Sequence, residues 1–376
     1  MAHRRSSGRV TIYEVAERAH VSLATVSRVM NGSAPVSDVM RERVREAADS
    51  LGFRPSLVAS SLSRHETKTL GLIVPDIANP FFAELARAVE KTAATEGYAV
   101  FVCNTDDHPS LEASYIDVLS RRQVDGLLLC TGSRTTFELA TGSGLPVLLL
   151  ARDLPVAEGH SIESVVLDDR LGGRMAAEYL YRLGHRSLAY VGESQSVVSS
   201  EDRRRGFWDA IRDAGGEPRP DFALHAAPLS MRRLEKALTD VLAAGVTALV
   251  VANDATAVRV VLALRRRAAR IPEDVSIVSF DDTALARLME PALTSVRQPT
   301  SRMGRLAVTL LLGRVGHTAD PMRKSSPRES HVVRPRLVIR RSTAPPHVGE
   351  PRSDSSAEGR LVLLAAESGL GVEDPG

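Results

Sequence analysis

The chain has 376 residues, 43% of them hydrophobic and 25% charged, ordinary globular values with length enough for two or three domain cores. No stretch approaches the roughly 18 apolar residues that span a bilayer, and the opening MAHRRSSGRV sets no apolar run behind its basic residues, so neither a membrane protein nor an exported one is expected. The net charge of +2 is uneven: residues 1–68 hold eleven Lys/Arg against seven Asp/Glu, a local +4 that leaves the remainder at −2, which suits a polyanionic partner at one end only.

From Thr11 to Leu51 apolar residues recur at helical spacing between the turn signals Asn31-Gly32-Ser33 and Ala34-Pro35, so residues 1–51 read as an all-helical headpiece. Thr11 with Glu14 three residues on forms a capping box, opening a helix whose stripe is Ile12, Val15, Ala16 and Ala19. A three-residue turn, His20 to Ser22, leads to a second helix from Leu23 to Met30. Two helices joined so tightly form a helix-turn-helix, which sets its second helix in the major groove of DNA. Outward positions Ala24, Thr25, Ser27 and Arg28 are short or polar. Arg28 is the candidate base reader, because a guanidinium donates two hydrogen bonds to guanine O6 and N7, worth about 1–3 kcal/mol of discrimination.

Residues 52–68 contain Pro55, a helix-capable stretch Ser56 to Ser63 and the polar run Arg64 to Lys68, a hinge and linker. From 69 to 343 short aliphatic runs alternate with helix-length segments. The expected strands are Leu70–Val74, Tyr98–Val102, Val124–Cys130, Val147–Leu150, Ser164–Leu167, Ser187–Val191, Ala248–Val251 and Val275–Phe280. The expected helices between them include Phe81–Glu96, Arg170–Leu183, Asp202–Ala214 and Asp254–Arg267. This alternation predicts parallel sheets of βαβ units, divided into two doubly wound lobes meeting near Leu167: an N-lobe of about 69–166 and 297–325 and a C-lobe of about 167–296 and 326–343. Ligands of such sheets bind beyond the carboxyl ends of the strands, here between the lobes. Gly172-Gly173 and Gly215-Gly216 fit close packing and a turn, and Cys103 and Cys130 read as small hydrophobes in a reducing compartment. Residues 344–376, rich in Pro, Ser and Gly and acidic in part, are expected to lack fixed structure.

The run TIYEVAERAHVSLATVSRVMNG, Thr11 to Gly32, resembles the headpiece of the lactose/galactose-repressor family, whose V-S-x-x-T-V-S-R pattern is met by Val21, Ser22, Thr25, Val26, Ser27 and Arg28. The resemblance implies that Leu23 and Ala24 fill the specificity positions and that Ser22, Thr25, Ser27 and Asn31 contact phosphates or support docking, with Thr11 a further candidate. It implies a hinge that folds on DNA and wedges a leucine pair into the minor groove at a central C-G step. Here Arg54 to Leu62 resembles it, with Ala59 a contact and Leu62 at the wedge position, although packing against the core would also explain such a leucine. The implied partner is a pseudo-palindromic operator near TGNAANCGNTTNCA, bound by a homodimer. The family's tetramers use a C-terminal leucine heptad helix, for which Leu361 to Leu364 is too short.

The resemblance continues over the core to about Pro346 and includes the periplasmic sugar-binding proteins. It implies a small-molecule effector, a sugar or sugar derivative, between the lobes of a cytoplasmic, allosteric repressor. Candidate effector contacts are Asn79, Phe81 and Phe82 after the first strand, Arg152, Arg203, Asn253, Asp281 and Gln298. Aromatics stack on sugar rings and directional polar groups hold hydroxyls. For several, structural roles compete: Asn79 and Asn253 as helix caps, Phe82 as core, Arg203 as a surface partner of Glu201 or Asp202. One departure stands out, since sugar-binding relatives place Asp-Arg where this chain has Ala151-Arg152-Asp153. No G-x-G-x-x-G, P-loop or G-x-S-x-G and no His/Cys cluster of metal spacing occurs, so neither an enzyme, a cofactor nor a metal is expected.

Overall fold

The computed structural model describes residues 10–31, 35–53, 66–152, 154, 163–193, 198–226, 230–315 and 330–346. The headpiece is three helices, α1 (Ile12–Ala19), α2 (Leu23–Asn31) and α3 (Asp38–Leu51). The capping box at its start is present: Glu14 N donates to Thr11 Oγ1 at 3.4 Å and Thr11 N to Glu14 Oε2 at 2.7 Å. His20 ends α1 in the left-handed region at φ 50°. The three helices enclose a small core of Val15, Ala16, Ala19, Val26, Val44, Ala47 and Ala48, against which Phe53 also packs.

The remainder folds into two six-stranded sheets. In the N-lobe sheet the order is β11-β5-β4-β3-β1-β2, from β1 (Thr69–Val74), β2 (Ala99–Asn104), β3 (Gly126–Leu129), β4 (Val147–Leu150), β5 (Ser164–Leu167) and β11 (Ser330–Val333), all parallel. In the C-lobe sheet the order is β12-β10-β9-β8-β6-β7, from β6 (Leu188–Gly192), β7 (Ala223–His225), β8 (Ala248–Val251), β9 (Ser276–Asp281), β10 (Thr294–Arg297) and β12 (Arg336–Val338). Only β12 runs antiparallel, against β10. Strands covered on both faces read as continuous aliphatic runs, which is why β3, β4 and β8 are buried at every residue.

Helices α4 (Pro80–Thr95), α5 (Pro109–Arg121), α6 (Arg134–Gly142) and α12 (Thr300–Leu312) belong to the N-lobe, and α7 (Asp169–Arg182), α8 (Val198–Asp213), α9 (Met231–Ala243), α10 (Asp254–Arg266) and the short α11 (Ala284–Leu288) to the C-lobe. The chain crosses between lobes after β5, after β10 and between β11 and β12. The sequence reading puts the last crossing at about 325/326; in the structure it lies at 334–335, because β11 pairs with β5 and so returns residues 330–333 to the N-lobe. At the ends of the core, Thr67 N and Lys68 N each donate to Asp125 at 2.8 Å, tying the last linker residues to the N-lobe. Ala344, assigned from sequence to the unstructured tail, donates to Ser276 Oγ at 3.0 Å and accepts from His185, so the order extends past 343. Most of the hinge, with Ala59 and Leu62, and the tail beyond 346 lie outside the described residues.

Glycine decides one helix crossing. A Cβ on Gly173 of α7 would stand 1.9 Å from the Arg203 carbonyl oxygen, and one on Gly206 of α8 would stand 1.8 Å from that of Arg170. The two helices therefore touch backbone to backbone, as the Gly172-Gly173 pair suggested.

Candidate functional site

On α2, Val26 turns wholly into the headpiece core while Ser22, Leu23, Ala24 and Arg28 are exposed and Thr25 and Ser27 half-buried. Ser22 opens the helix, its hydroxyl accepting from Thr25 N at 3.1 Å and lying 2.9 Å from Thr25 Oγ1. The exposed side of α2 is thus a short, mostly small-residue surface with one guanidinium at its far end. Tyr13, which no sequence motif singles out, is 70% exposed on the first turn of α1.

Between the lobes, all eight candidate effector residues line one cleft: Asn79, Phe81, Phe82 and Arg152 from the N-lobe and Arg203, Asn253, Asp281 and Gln298 from the C-lobe side. Each sits at, or just beyond, the carboxyl end of a parallel strand, or on the helix that follows. Ala151, Glu193 and Ser199, not predicted, complete the lining. The space left is about 30 Å³, room for a water or two.

Several of the competing roles turn out to coexist. Asn79 caps α4 by accepting from Phe81 N at 3.1 Å, and Phe82 is buried in the N-lobe core with its ring edge-on to Phe81 at 5.0 Å, yet all three border the cleft. Asn253 caps α10 through Thr256 N at 2.7 Å, while its Nδ2 donates to Glu193 Oε1 at 2.6 Å. Arg203 is no surface partner of Glu201 or Asp202. It is buried, donating from Nε to Asp169 Oδ1 and from Nη1 to the Ala252 carbonyl, both at 2.6 Å, with Asp281 Oδ1 3.9 Å away and the Phe280 ring beneath it. Glu201 instead pairs with Arg204 and Arg205.

Asp281 accepts from Gln298 Nε2 at 2.6 Å. Burial pushes its carboxyl up to about 8, against the pull of Arg203, and pushes Asp169 up to about 6. Two carboxylates share one guanidinium, so neither is fully compensated; burial works against the charge of Arg203, but the two together hold it firmly protonated. Backbone strain gathers here too: Ala151, Asp281 and Asp282 have φ of 64°, 97° and 58°, conformations that cost a side-chain-bearing residue about 1–3 kcal/mol and cluster at functional sites. Behind Asp281, Asp254 accepts from Ser279 Oγ, Thr283 N, Thr283 Oγ1 and Ser295 Oγ at 2.6–3.1 Å, locking α10 to β9 and β10. Across the cleft, Arg152 donates to Asp107 at 2.6 Å. The carboxylate that Arg152 meets thus comes from the loop after β2 and not from position 151; Asp153 lies outside the described residues.

A helix-turn-helix unit ahead of a two-lobed core with a polar cleft defines a class: DNA-binding regulators built on a ligand-binding-protein fold. The comparisons agree. Residues 11–56 match the bacterial regulatory proteins of the lacI family, and residues 177–343 the periplasmic binding protein-like domain. The chain is 33% identical over 343 residues to the HTH-type transcriptional regulator DegA of Bacillus subtilis (strain 168), covering 90% of this chain and 99% of that one. Its structure is similar to that of the lac repressor dimer bound to operator and the anti-inducer ONPF, with TM-score 0.76 and 26% identity over 89% of this chain and 99% of that one. It is also similar to a transcriptional regulator CelR–cellobiose complex, with TM-score 0.66 and 29% identity over 89% and 100%. The chain belongs to the lacI family of bacterial regulatory proteins. Its relatives are transcriptional regulators, not enzymes. Among the described residues no helix is long and apolar enough to cross a membrane, and no group of three His, Cys, Asp or Glu is set to hold a metal ion.

Proposed function

We propose that this regulator is a repressor that binds a pseudo-palindromic operator as a cytoplasmic homodimer, under the control of a carbohydrate-type effector held between its lobes. The observation that carries the effector half is the convergence of Asn79, Arg152, Arg203, Asn253, Asp281 and Gln298 on one cleft from both lobes. Directional donors and acceptors beside the aromatic rings of Phe81 and Phe82 are what a polyol ring needs, and the structurally similar regulator CelR forms a complex with cellobiose. In this reading residues 1–51 read DNA, 52–68 form the hinge and 69–343 hold the effector.

For the DNA half, the exposed Leu23, Ala24 and Arg28 face the bases, with Ser22, Thr25, Ser27, Asn31 and Thr11 at the phosphates. Ala59 and Leu62 reach the minor groove from the hinge. A second copy is supported by the edge strand β2, which leaves Phe101 and Val102 more than 40% exposed, and by Leu111 and Val118 uncovered on α5. Apolar surface on an unpaired edge calls for cover.

The test is a gel shift of the full chain on TGNAANCGNTTNCA and a scrambled version. The expected result is at least a hundredfold preference for the ordered site, reduced in Arg28→Ala by roughly ten- to hundredfold, the equivalent of about 1–3 kcal/mol. Equal affinity for the two sites under every ligand condition would reject the operator reading.

A further inference from the structure

We infer that Glu193 is a specificity-determining residue of the inter-lobe cleft, its carboxylate accepting from one hydroxyl of a vicinal diol on the ligand while the spare N–H of Asn253 donates to the neighbouring hydroxyl oxygen. This rests on the cleft being the effector site and names the group that its C-lobe wall reads.

The sheet order puts these two residues at the place where a doubly wound lobe binds. β6 is the first strand of the C-lobe, with β7 on one side of it and β8 on the other. The connections from β6 to β7 and from β7 to β8 thus run in opposite directions, and the strand order reverses at β6, leaving a crevice beyond the carboxyl ends of β6 and β8. Glu193 directly follows β6, and Asn253 comes two residues after β8. Asn253 Nδ2 donates to Glu193 Oε1 at 2.6 Å, a bond that spans the crevice, and both residues line the cleft.

The bonds around the pair fix what it presents. Asn253 Oδ1 accepts from Thr256 N at 2.7 Å, so the amide can be turned only one way, with Nδ2 toward Glu193. That nitrogen has two N–H groups, and the carboxylate binds one. Glu193 is held by its backbone as well, N donating to Ser200 Oγ at 3.4 Å and the carbonyl oxygen lying 3.1 Å from His225 Nδ1. Its Oε2 has no partner among the described residues. An N–H and a carboxylate oxygen therefore stand side by side, each fixed before any ligand arrives, and preorganised groups lose least on binding. Adjacent hydroxyls of a sugar ring carry the matching pattern, one accepting and the next donating. Asp281 does not duplicate this acceptor: its Oδ1 takes the Gln298 amide, and its carboxyl keeps a proton up to about 8.

Isothermal titration of the full chain tests this with D-ribose, D-xylose, D-glucose, D-galactose and cellobiose, followed by every monodeoxy analogue of the tightest binder. In the native chain, removing either hydroxyl of one adjacent pair is expected to weaken binding at least about tenfold. Glu193→Ala weakens the parent sugar by a similar factor and silences one of those two hydroxyls, so that its deoxy analogue binds this variant as tightly as the parent does. Glu193→Gln, which keeps an acceptor for Asn253, weakens the parent in the same direction, with circular-dichroism melts confirming that both variants fold. Unchanged parent affinity in the two variants would overturn the inference. So would a penalty of native size for every deoxy analogue in Glu193→Ala, the result expected if Glu193 only props Asn253; both outcomes leave the effector cleft standing. Heat from none of the sugars would overturn the cleft reading and this inference with it.

Discussion

Replacing Gly206 with alanine tests whether the crossing of α7 and α8 positions the cleft arginine. The new Cβ would lie 1.8 Å from the Arg170 carbonyl oxygen, a backbone atom, whereas carbon and oxygen in ordinary contact sit near 3.3 Å, close to the optimal range for non-bonded atoms. The helices must separate by roughly 1.5 Å at that point, since neither backbone has a rotamer to change. Arg203 lies one turn before Gly206 on α8 and Asp169 one residue before Arg170 on α7, so the same displacement opens their 2.6 Å bond. Overpacking alone costs about 1–3 kcal/mol, and loosening a buried ion pair adds to it. We expect Gly206→Ala to lose about 3 kcal/mol or more in urea unfolding and to weaken cleft ligand binding by at least tenfold. Gly142→Ala, at the end of α6 with open space around the new methyl, should be neutral or slightly stabilising. If Gly206→Ala unfolded with the same midpoint and slope as the native chain and bound ligand equally well, the backbone contact would not be setting the position of Arg203.

Asp281 gives a pH signature. Its folded carboxyl keeps a proton up to about 8 against a reference value of 3.8, so between these pH values the folded chain binds more protons than the unfolded one. Raising the pH through that window therefore costs stability, by up to about 1.4 kcal/mol per pH unit for one proton. The groups facing it are Arg203, Asp254, Glu193 and Gln298. Asp281→Asn keeps an acceptor for Gln298 and should flatten the fall in unfolding free energy between pH 5 and 8; an unchanged slope would exclude this carboxyl as its source. Val26→Ala removes two methyl groups from a headpiece core with seven buried apolar residues among those described. It should cost about 2 kcal/mol and lower a separate headpiece transition in calorimetry while leaving that of the lobes in place; a single shifted transition would show that the units melt together. Asp125→Ala deletes the acceptor of Thr67 N, Thr67 Oγ1 and Lys68 N and should weaken operator binding severalfold with cleft ligand affinity unchanged, as read by gel shift and titration; equal loss of both would point to general damage in the N-lobe.

Local signals carried most of this architecture into the sequence. The capping box at Thr11, the inward stripe of α1 and the aliphatic runs of β1, β3, β4 and β8 are each written in neighbouring residues. The strands left out, β7, β10, β11 and β12, are only three or four residues long, and the lobe that β11 joins is fixed by pairing with a strand some 166 residues earlier, for which no local pattern exists. The same division runs through the cleft. Residues at strand ends were legible by position and resemblance. Asp169, Asp107 and Asp254 were not, because each acts on a residue of another element. Glu193 and Ser199 were missed because they resemble ordinary loop and helix-start residues until the fold brings them to the lining.

The distribution of bonds also says how such a cleft can open. Its C-lobe wall is cross-tied: Arg203 joins α8 to Asp169 at the start of α7 and to the end of β8, Gln298 joins the end of β10 to Asp281, and Asp254 holds α10 to β9 and β10. Its N-lobe wall is tied within itself through Arg152 and Asp107. Between the walls, Arg287 and Glu84 approach only to 3.9 Å with both side chains more than a third exposed, an interaction worth little in solvent. Among the described residues the walls are thus bonded more strongly within themselves than to each other. The last residues of the linker, Thr67 and Lys68, are bonded to Asp125, at the amino-terminal edge of the N-lobe sheet, the edge opposite the cleft. A change in the angle between the walls would therefore reach the linker through the N-lobe, to which Thr67 and Lys68 are bonded.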